Sequence, residues 1–178
     1  GVSKKVTVTE MVYDRAMNIF IWVTSDGHAY SMQRKPDGAS ESDDPPKLFK
    51  GVCFHTPAND GQRAMKAAVN ARFSLLAVSC ASGEIIVYTA KDYAGNVVVS
   101  HTVQAPASAA TTGKITSISY SPDGYSLFVG FEQGWANWSV FGRPVGSSFS
   151  VDREMAEANG ENWLTSVSAA CWIGGGSD

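Results

Sequence analysis

The sequence predicts an all-β protein made of repeated four-stranded antiparallel sheets, and three observations support this prediction. Short apolar segments alternate with tight-turn signals along most of the 178 residues. An apolar segment ends at each of Gly27, Gly83 and Gly134, and another begins just after each glycine. These glycines lie 56 and 51 residues apart, and a recurring spacing of this size is typical of repeat architectures.

One complete unit is visible in residues 114–149. Polarity alternates along residues 115–120, which is the pattern of a half-buried strand. The turn Ser121-Pro122-Asp123-Gly124 follows, in which proline sets φ and glycine takes the left-handed position. Apolar residues return at 127–131 and 135–141, and an outer strand is expected at 146–151. Four such strands in ~40–45 residues is the size of one β-propeller blade.

We therefore expect a single WD40-like β-propeller segment of about three and a half blades that does not close into a ring by itself. The expected blades span about residues 6–55, 65–103 and 114–151, and a fourth begins at about 163–178. Residues 63–70 have helix-favouring composition, but their place in the repeat favours an inner strand, and we predict the strand.

Two sets of residues are expected to hold the blades together. The structural turn glycines are predicted to be Gly27, Gly83, Gly124 and Gly134, and positive φ is expected for the three that mark the repeat. The aromatic residues of the blade core are predicted to be Trp22, Trp135, Trp138 and Phe141. A ligand-stacking box is the alternative for the last three, but aromatics at blade spacing more often pack between blades.

An acidic segment interrupts the first blade at residues 35–46. It contains three prolines, four acidic residues and no apolar side chain larger than alanine. Such a segment cannot bury enough apolar surface to offset its ordering entropy, so we expect a mobile surface loop. A tolerated insertion is the simpler explanation, and a partner-binding or phosphorylated loop through Ser40 and Ser42 is the alternative.

Composition and charge exclude several functional classes. The net charge of −3 argues against general nucleic-acid binding, and no apolar run has the ~20 residues of a membrane span. The first residues contain two lysines but no apolar segment that follows them, so we do not expect them to be a signal peptide. Cys53, Cys80 and Cys171 are isolated and odd in number, so we expect small buried hydrophobes in a reducing compartment.

Motifs for chemistry are absent from the sequence, and we predict no catalytic, cofactor or metal residues. The sequence lacks a phosphate-binding loop, a dinucleotide-binding glycine motif and a nucleophile elbow. His28, His55 and His101 lie in different strands or hairpins without nearby partners at metal-ligand spacing. Asp26 and Asp123 precede turn glycines, and the turn alone explains them.

Residues 121–149 resemble the N-terminal propeller of the Ric-one family, the WD-repeat subunit of the Ric–Rgp complex. The string GWANWSVFG at residues 134–142 is similar to a segment of that family, as are residues 11–34, 48–57 and 71–96. The resemblance covers nearly all of the chain except residues 35–46. The chain departs from the common WD pattern, because no blade ends in Trp-Asp and none opens with Gly-His.

The resemblance implies a scaffold in a guanine-nucleotide exchange complex for a Golgi Rab GTPase in endosome-to-Golgi retrograde traffic. It implies an Rgp-type partner subunit, a cytoplasmic location at the periphery of Golgi membranes, and no enzymatic activity of its own. The residues leave two alternatives open: a WD-type scaffold in another assembly, and a propeller enzyme. The enzyme is disfavoured because the inner-strand residues Val6, Val8, Ile115 and Ser117 are apolar or small.

Overall fold

The computed structural model describes residues 4–34, 51–91, 94–149 and 172, and three four-stranded antiparallel sheets lie in these segments. Sheet 1 contains β1 (Val8–Asp14), β2 (Ile19–Thr24), β3 (Ala29–Gln33) and β4 (Val52–His55). Sheet 2 contains β5 (Ala64–Asn70), β6 (Leu75–Cys80), β7 (Ile85–Ala90) and β8 (Val97–Val103). Sheet 3 contains β9 (Ile115–Tyr120), β10 (Ser126–Phe131), β11 (Gly134–Ser139) and β12 (Pro144–Ser147).

Within each sheet the strands are hydrogen-bonded in chain order, and the first strands of neighbouring sheets lie side by side. β5 is a strand although its composition favours a helix, because it pairs with β6 and contacts both β1 and β9. Tertiary packing overrides local propensity at this position. A short 3-10 helix (Asp60–Gln62) precedes sheet 2, and α1 (Ala109–Thr112) lies in the connection between sheets 2 and 3.

Two apolar cores separate the three sheets. Sheets 1 and 2 enclose one core, to which sheet 2 contributes Leu76, Val78, Cys80 and Ile86. Sheets 2 and 3 enclose the other, to which sheet 2 contributes Leu75, Ala77, Ile85 and Val87. Every residue of β6 is buried, as expected for a strand that is covered on both faces.

The connections of the sheets define two edges of the stack. The upper edge carries the turns between second and third strands and the connections between sheets. The lower edge carries the remaining turns, including residues 15–18, 71–74, 121–125 and 140–143. Asn70 Nδ2 donates to the Gly124 carbonyl at 2.8 Å and joins sheets 2 and 3 at the lower edge. Arg63 Nη2 donates to the Ser25 carbonyl and joins sheets 1 and 2 at the upper edge.

Three of the four predicted turn glycines lie in turns with positive φ: Gly27 at +86°, Gly83 at +89° and Gly124 at +79°. Gly134 departs from the prediction, because it is the first residue of β11 and pairs with Phe131. The β10–β11 turn is two residues long, whereas the β6–β7 turn joins Cys80 to Glu84 across three. A side chain at position 134 would collide with Ser148, so close approach of the chain explains this glycine.

The predicted core aromatics divide into three environments. Trp138 is buried between sheets 2 and 3. Trp22 and Trp135 are half-buried on the faces of sheets 1 and 3 that point away from sheet 2. Phe141 is 60% exposed, so its assignment to the core is wrong. The reason is that β11 ends at Ser139, and residue 141 lies in a turn outside the strand alternation.

Other predictions have mixed outcomes. The outer strand expected at residues 146–151 begins at Pro144 instead. Cys80 is buried as expected, but Cys53 is exposed, and Cys171 lies outside the described residues. The acidic segment 35–46 and most of the expected fourth blade, residues 163–178, also lie outside the described residues.

Candidate protein-docking surfaces

Among the described residues, His, Cys, Asp and Glu side chains do not form a cluster. Within the segments that the structure describes, no three His, Cys, Asp or Glu side chains are grouped to hold a metal ion. Asp26 accepts a hydrogen bond from Thr24 Oγ1, and Asp123 accepts one from Ser121 Oγ. These hydrogen bonds lower the pKa of each carboxyl group, so both aspartates act as anions that cap their own turns.

His55 is a structural histidine at the interface of sheets 1 and 2. Its side chain is fully buried, and Nε2 lies 2.7 Å from the Gln62 carbonyl oxygen, which can only accept. Nε2 therefore carries the proton, and Nδ1 accepts a hydrogen bond from the Tyr88 hydroxyl at 2.8 Å. Burial lowers the pKa of His55 and raises that of Tyr88 to about 12, so both remain neutral at pH 7. The two bonds join β4 to β7 and to the connection before sheet 2.

The outer face of sheet 1, which points away from sheet 2, is apolar and open. Its side chains are Met11, Tyr13, Phe20, Trp22, Tyr30 and Met32. Met11 is 65% exposed and Tyr13 is 50% exposed. The rings are in contact, with Tyr13 and Phe20 at 4.5 Å between centroids and Trp22 stacked on Tyr30 at 5.6 Å. A continuous exposed apolar surface of this kind marks an interface.

A second exposed surface, here called the lower-edge cluster, consists of Arg72, Phe73, Tyr125 and Phe141. Phe73 contacts both other rings edge-on, with centroids 5.6 Å from Tyr125 and 5.4 Å from Phe141. The Arg72 guanidinium carbon lies 4.6 Å from the centre of the Tyr125 ring, which is within cation–π range. The cluster joins turns of sheets 2 and 3.

Sequence reasoning did not single out Phe73 or Tyr125. The available signal was that each lies in the turn between the first and second strands of its sheet, at the position that Met17 holds in sheet 1. The structure adds the contact between turns of different sheets, which the spacing along the chain does not reveal. Among the described helices, none has the length and apolar character needed to cross a bilayer.

The fold is that of a WD-type β-propeller segment. The chain superimposes on a chain of the mitotic checkpoint complex with a TM-score of 0.61 and 14% identity, covering 96% of this chain and 43% of that one. The β-propeller domain of Cps50 (Swd1) from Myceliophteria thermophila gives a TM-score of 0.53 at 11% identity, covering 80% of this chain and 43% of that one. The predicted fold class, an open set of four-stranded antiparallel blades, is confirmed.

Sequence similarity identifies the relatives within that class. The chain is homologous to the Ric1 guanine nucleotide exchange factor subunits. It is 31% identical over 152 residues to the ric1 subunit of Schizosaccharomyces pombe, covering 75% of this chain and 14% of that protein. It is 37% identical over 81 residues to RIC1 of Mus musculus, covering 42% of this chain and 6% of that protein. No protein-family model matches the chain.

Proposed function

We propose that this chain is part of the propeller scaffold of a guanine-nucleotide exchange complex for a Golgi Rab GTPase, with a role in endosome-to-Golgi retrograde traffic. The observation that carries the proposal is the 31% identity to the ric1 exchange factor subunit across 75% of the chain. The chain acts through protein contacts, with an Rgp-type subunit and the Rab as partners. It contributes no catalytic group of its own and associates with Golgi membranes through the complex.

The open face of sheet 1 supports a scaffold that extends beyond these three sheets. Val78 is the fourth residue of β6, and its side chain packs against the preceding sheet, sheet 1. Trp22 is the fourth residue of β2, so its side chain occupies the same position on sheet 1. The chain spans 14% of the S. pombe relative. It matches 43% of the solved Cps50 (Swd1) propeller domain, so that domain is more than twice as long as the matched part. We assign the outer face of sheet 1 to contact with a further four-stranded sheet of the same propeller, because such a sheet presents matching apolar side chains.

A nucleotide-release assay tests the proposal. Release of fluorescent GDP from a Golgi Rab is measured with the 178-residue segment, with the intact exchange complex, and with the complex lacking the segment. We expect the intact complex to accelerate release. The segment alone does not accelerate release or bind GDP, because its contribution is to shape and assembly.

Deletion of the segment is expected to abolish release and to lower the solubility of the complex, because it exposes apolar sheet faces. Accelerated release by the isolated segment would refute the scaffold role. Full activity and normal solubility of the deleted complex would show that the segment is dispensable.

A further inference from the structure

The lower-edge cluster has the composition and exposure of a binding hot spot. Phe141 is 60% exposed and Tyr125 is 49% exposed, although both rings pack against Phe73, which contacts the core between sheets 2 and 3. The rings are therefore held in place by neighbours while their outer surfaces face solvent. Aromatic and arginine side chains in such positions contribute most of the binding free energy at protein interfaces.

The charge of the described part of the lower edge favours an acidic partner. Among the described residues of this edge, the cationic side chains are Arg15, Arg34, Arg72, Lys91 and Arg143. The carboxylates there are Asp14 and Asp123, and each accepts a hydrogen bond from a backbone N–H of its own turn. The described part of the upper edge carries four groups of each sign, and the whole chain has a net charge of −3. Among the described residues, the excess of positive charge therefore lies on the edge that carries the exposed rings.

We propose that the lower-edge cluster binds an acidic peptide segment of a partner protein that carries one aromatic or long aliphatic side chain. The apolar side chain of the peptide packs on Phe141 and Tyr125. Its carboxylates lie beside Arg72 and Arg143, which flank the rings in the chain. The guanidinium of Arg72 lies over Tyr125 and retains donors for a carboxylate.

A protein segment fits this surface better than a lipid bilayer does. Phe73 contacts Tyr125 and Phe141 edge-on, and Arg72 covers part of Tyr125 instead of leaving it to protrude. Insertion into a membrane interface requires protruding apolar side chains, whereas a peptide side chain can pack into the angle between fixed rings. Complementary charge then sets the orientation of the peptide and increases its association rate.

Fluorescence anisotropy on the intact protein tests the assignment. The probe is a fluorescein-labelled peptide in which glutamates flank a single phenylalanine, and control peptides replace the glutamates by glutamine or the phenylalanine by alanine. We expect binding of the probe and weaker binding of both controls. Raising the ionic strength from about 0.05 M to about 0.5 M weakens binding of the probe, because the charges are exposed.

Variants locate the site on the protein. The single variant Arg72→Glu is expected to weaken binding about tenfold or more, and Phe141→Ser is expected to weaken it similarly. Phe141→Leu keeps apolar bulk and retains most of the affinity, which separates loss of contact from loss of folding. The matched control is Arg15→Glu, which makes the same charge change on the same edge, in the turn 15–18 that is not part of the lower-edge cluster, and it changes affinity less than about threefold.

Three results would overturn the proposal: no binding of the probe, an equal loss for Arg15→Glu and for Arg72→Glu, or binding to phosphatidylserine vesicles without binding to the peptide. None of these readouts depends on nucleotide release, so the failure of this proposal and that of the exchange-factor role are distinguishable.

Discussion

Sheets 1 and 2 have the same four-stranded architecture but very different surroundings. Sheet 2 is covered on both faces, and alternate residues of β6 point into the two apolar cores. Sheet 1 is covered on one face, while Met11, Tyr13 and Phe20 on its other face are exposed. The difference teaches that apolar character alone does not show burial, because the open face of sheet 1 carries large apolar side chains just as the covered faces of sheet 2 do.

The largest effect is expected from placing a charge at equivalent positions of the two sheets. Val78→Asp puts a carboxylate into a fully buried site and should cost at least about 4 kcal/mol of unfolding free energy. If a further sheet covers sheet 1 in the intact protein, Trp22→Asp should have an effect of similar size. Denaturant unfolding of the intact protein measures both, and a loss below about 1 kcal/mol for Trp22→Asp would show that the face is open.

The next largest effect concerns the bonds that hold sheet 1 against sheet 2. His55→Ala removes a fully buried side chain and leaves the Tyr88 hydroxyl and the Gln62 carbonyl without their partner. We expect a loss of roughly 3 kcal/mol from these unsatisfied groups and the cavity. Tyr88→Phe removes one of the two bonds and should cost about 1 kcal/mol. Equal losses for the two variants would contradict the account of His55 as a double link.

The turn glycines Gly83 of sheet 2 and Gly27 of sheet 1 distinguish the cost of backbone strain from the additional cost of a steric collision. Gly83→Ala should cost about 1 kcal/mol, because φ is +89° and the added Cβ meets only Ala105 at ordinary contact distance. Gly27→Ala should cost about 2 kcal/mol, because φ is +86° and the Cβ would also lie 2.6 Å from Cβ of Arg63, which directly precedes sheet 2. Thermal unfolding of both variants checks the order, and a larger loss at Gly83 would contradict it.

The smallest effect is a pH dependence at the interface of sheets 1 and 2. Burial lowers the pKa of His55 below its ordinary value of about 6.5, so the unfolded chain takes up the proton more readily than the folded chain. The contribution of neutral, buried His55 to the free energy of unfolding is complete above pH 6.5. It declines as the pH falls below 6.5, by at most about 1.4 kcal/mol per pH unit. His101 contributes in the same direction. Unfolding free energies at pH 7.5 and 5.5 should differ less in His55→Phe than in the unaltered protein.

The sequence predicted the repeat well, because strand alternation and turn chemistry are local properties. The turns at Gly27 and Gly83 and the buried strands β2, β6 and β7 follow from patterns within a few residues. The Gly134 position was misplaced by one residue, because a turn of two residues and one of three have the same composition signal. Register across a hairpin depends on the turn length, which the pattern does not determine.

The surfaces were less predictable than the strands. Phe141 was assigned to the core because strand alternation was extended past Ser139, where the strand ends. The lower-edge cluster depends on contacts between residues about 50 positions apart, such as Phe73 and Tyr125, and local patterns carry no information on them. The role of His55 likewise depends on Tyr88, which lies 33 residues away in the next sheet.

The central claim is that a further sheet covers the outer face of sheet 1 in the working protein. Hydroxyl-radical footprinting of the intact protein tests it, because two tyrosines form a matched pair: Tyr13 on this face is 50% exposed and Tyr125 on the lower edge is 49% exposed. The account predicts that Tyr13, Met11 and Trp22 are oxidised slowly, at rates near that of buried Trp138, while Tyr125 is oxidised rapidly. Oxidation of Tyr13 as rapid as that of Tyr125 would contradict the claim.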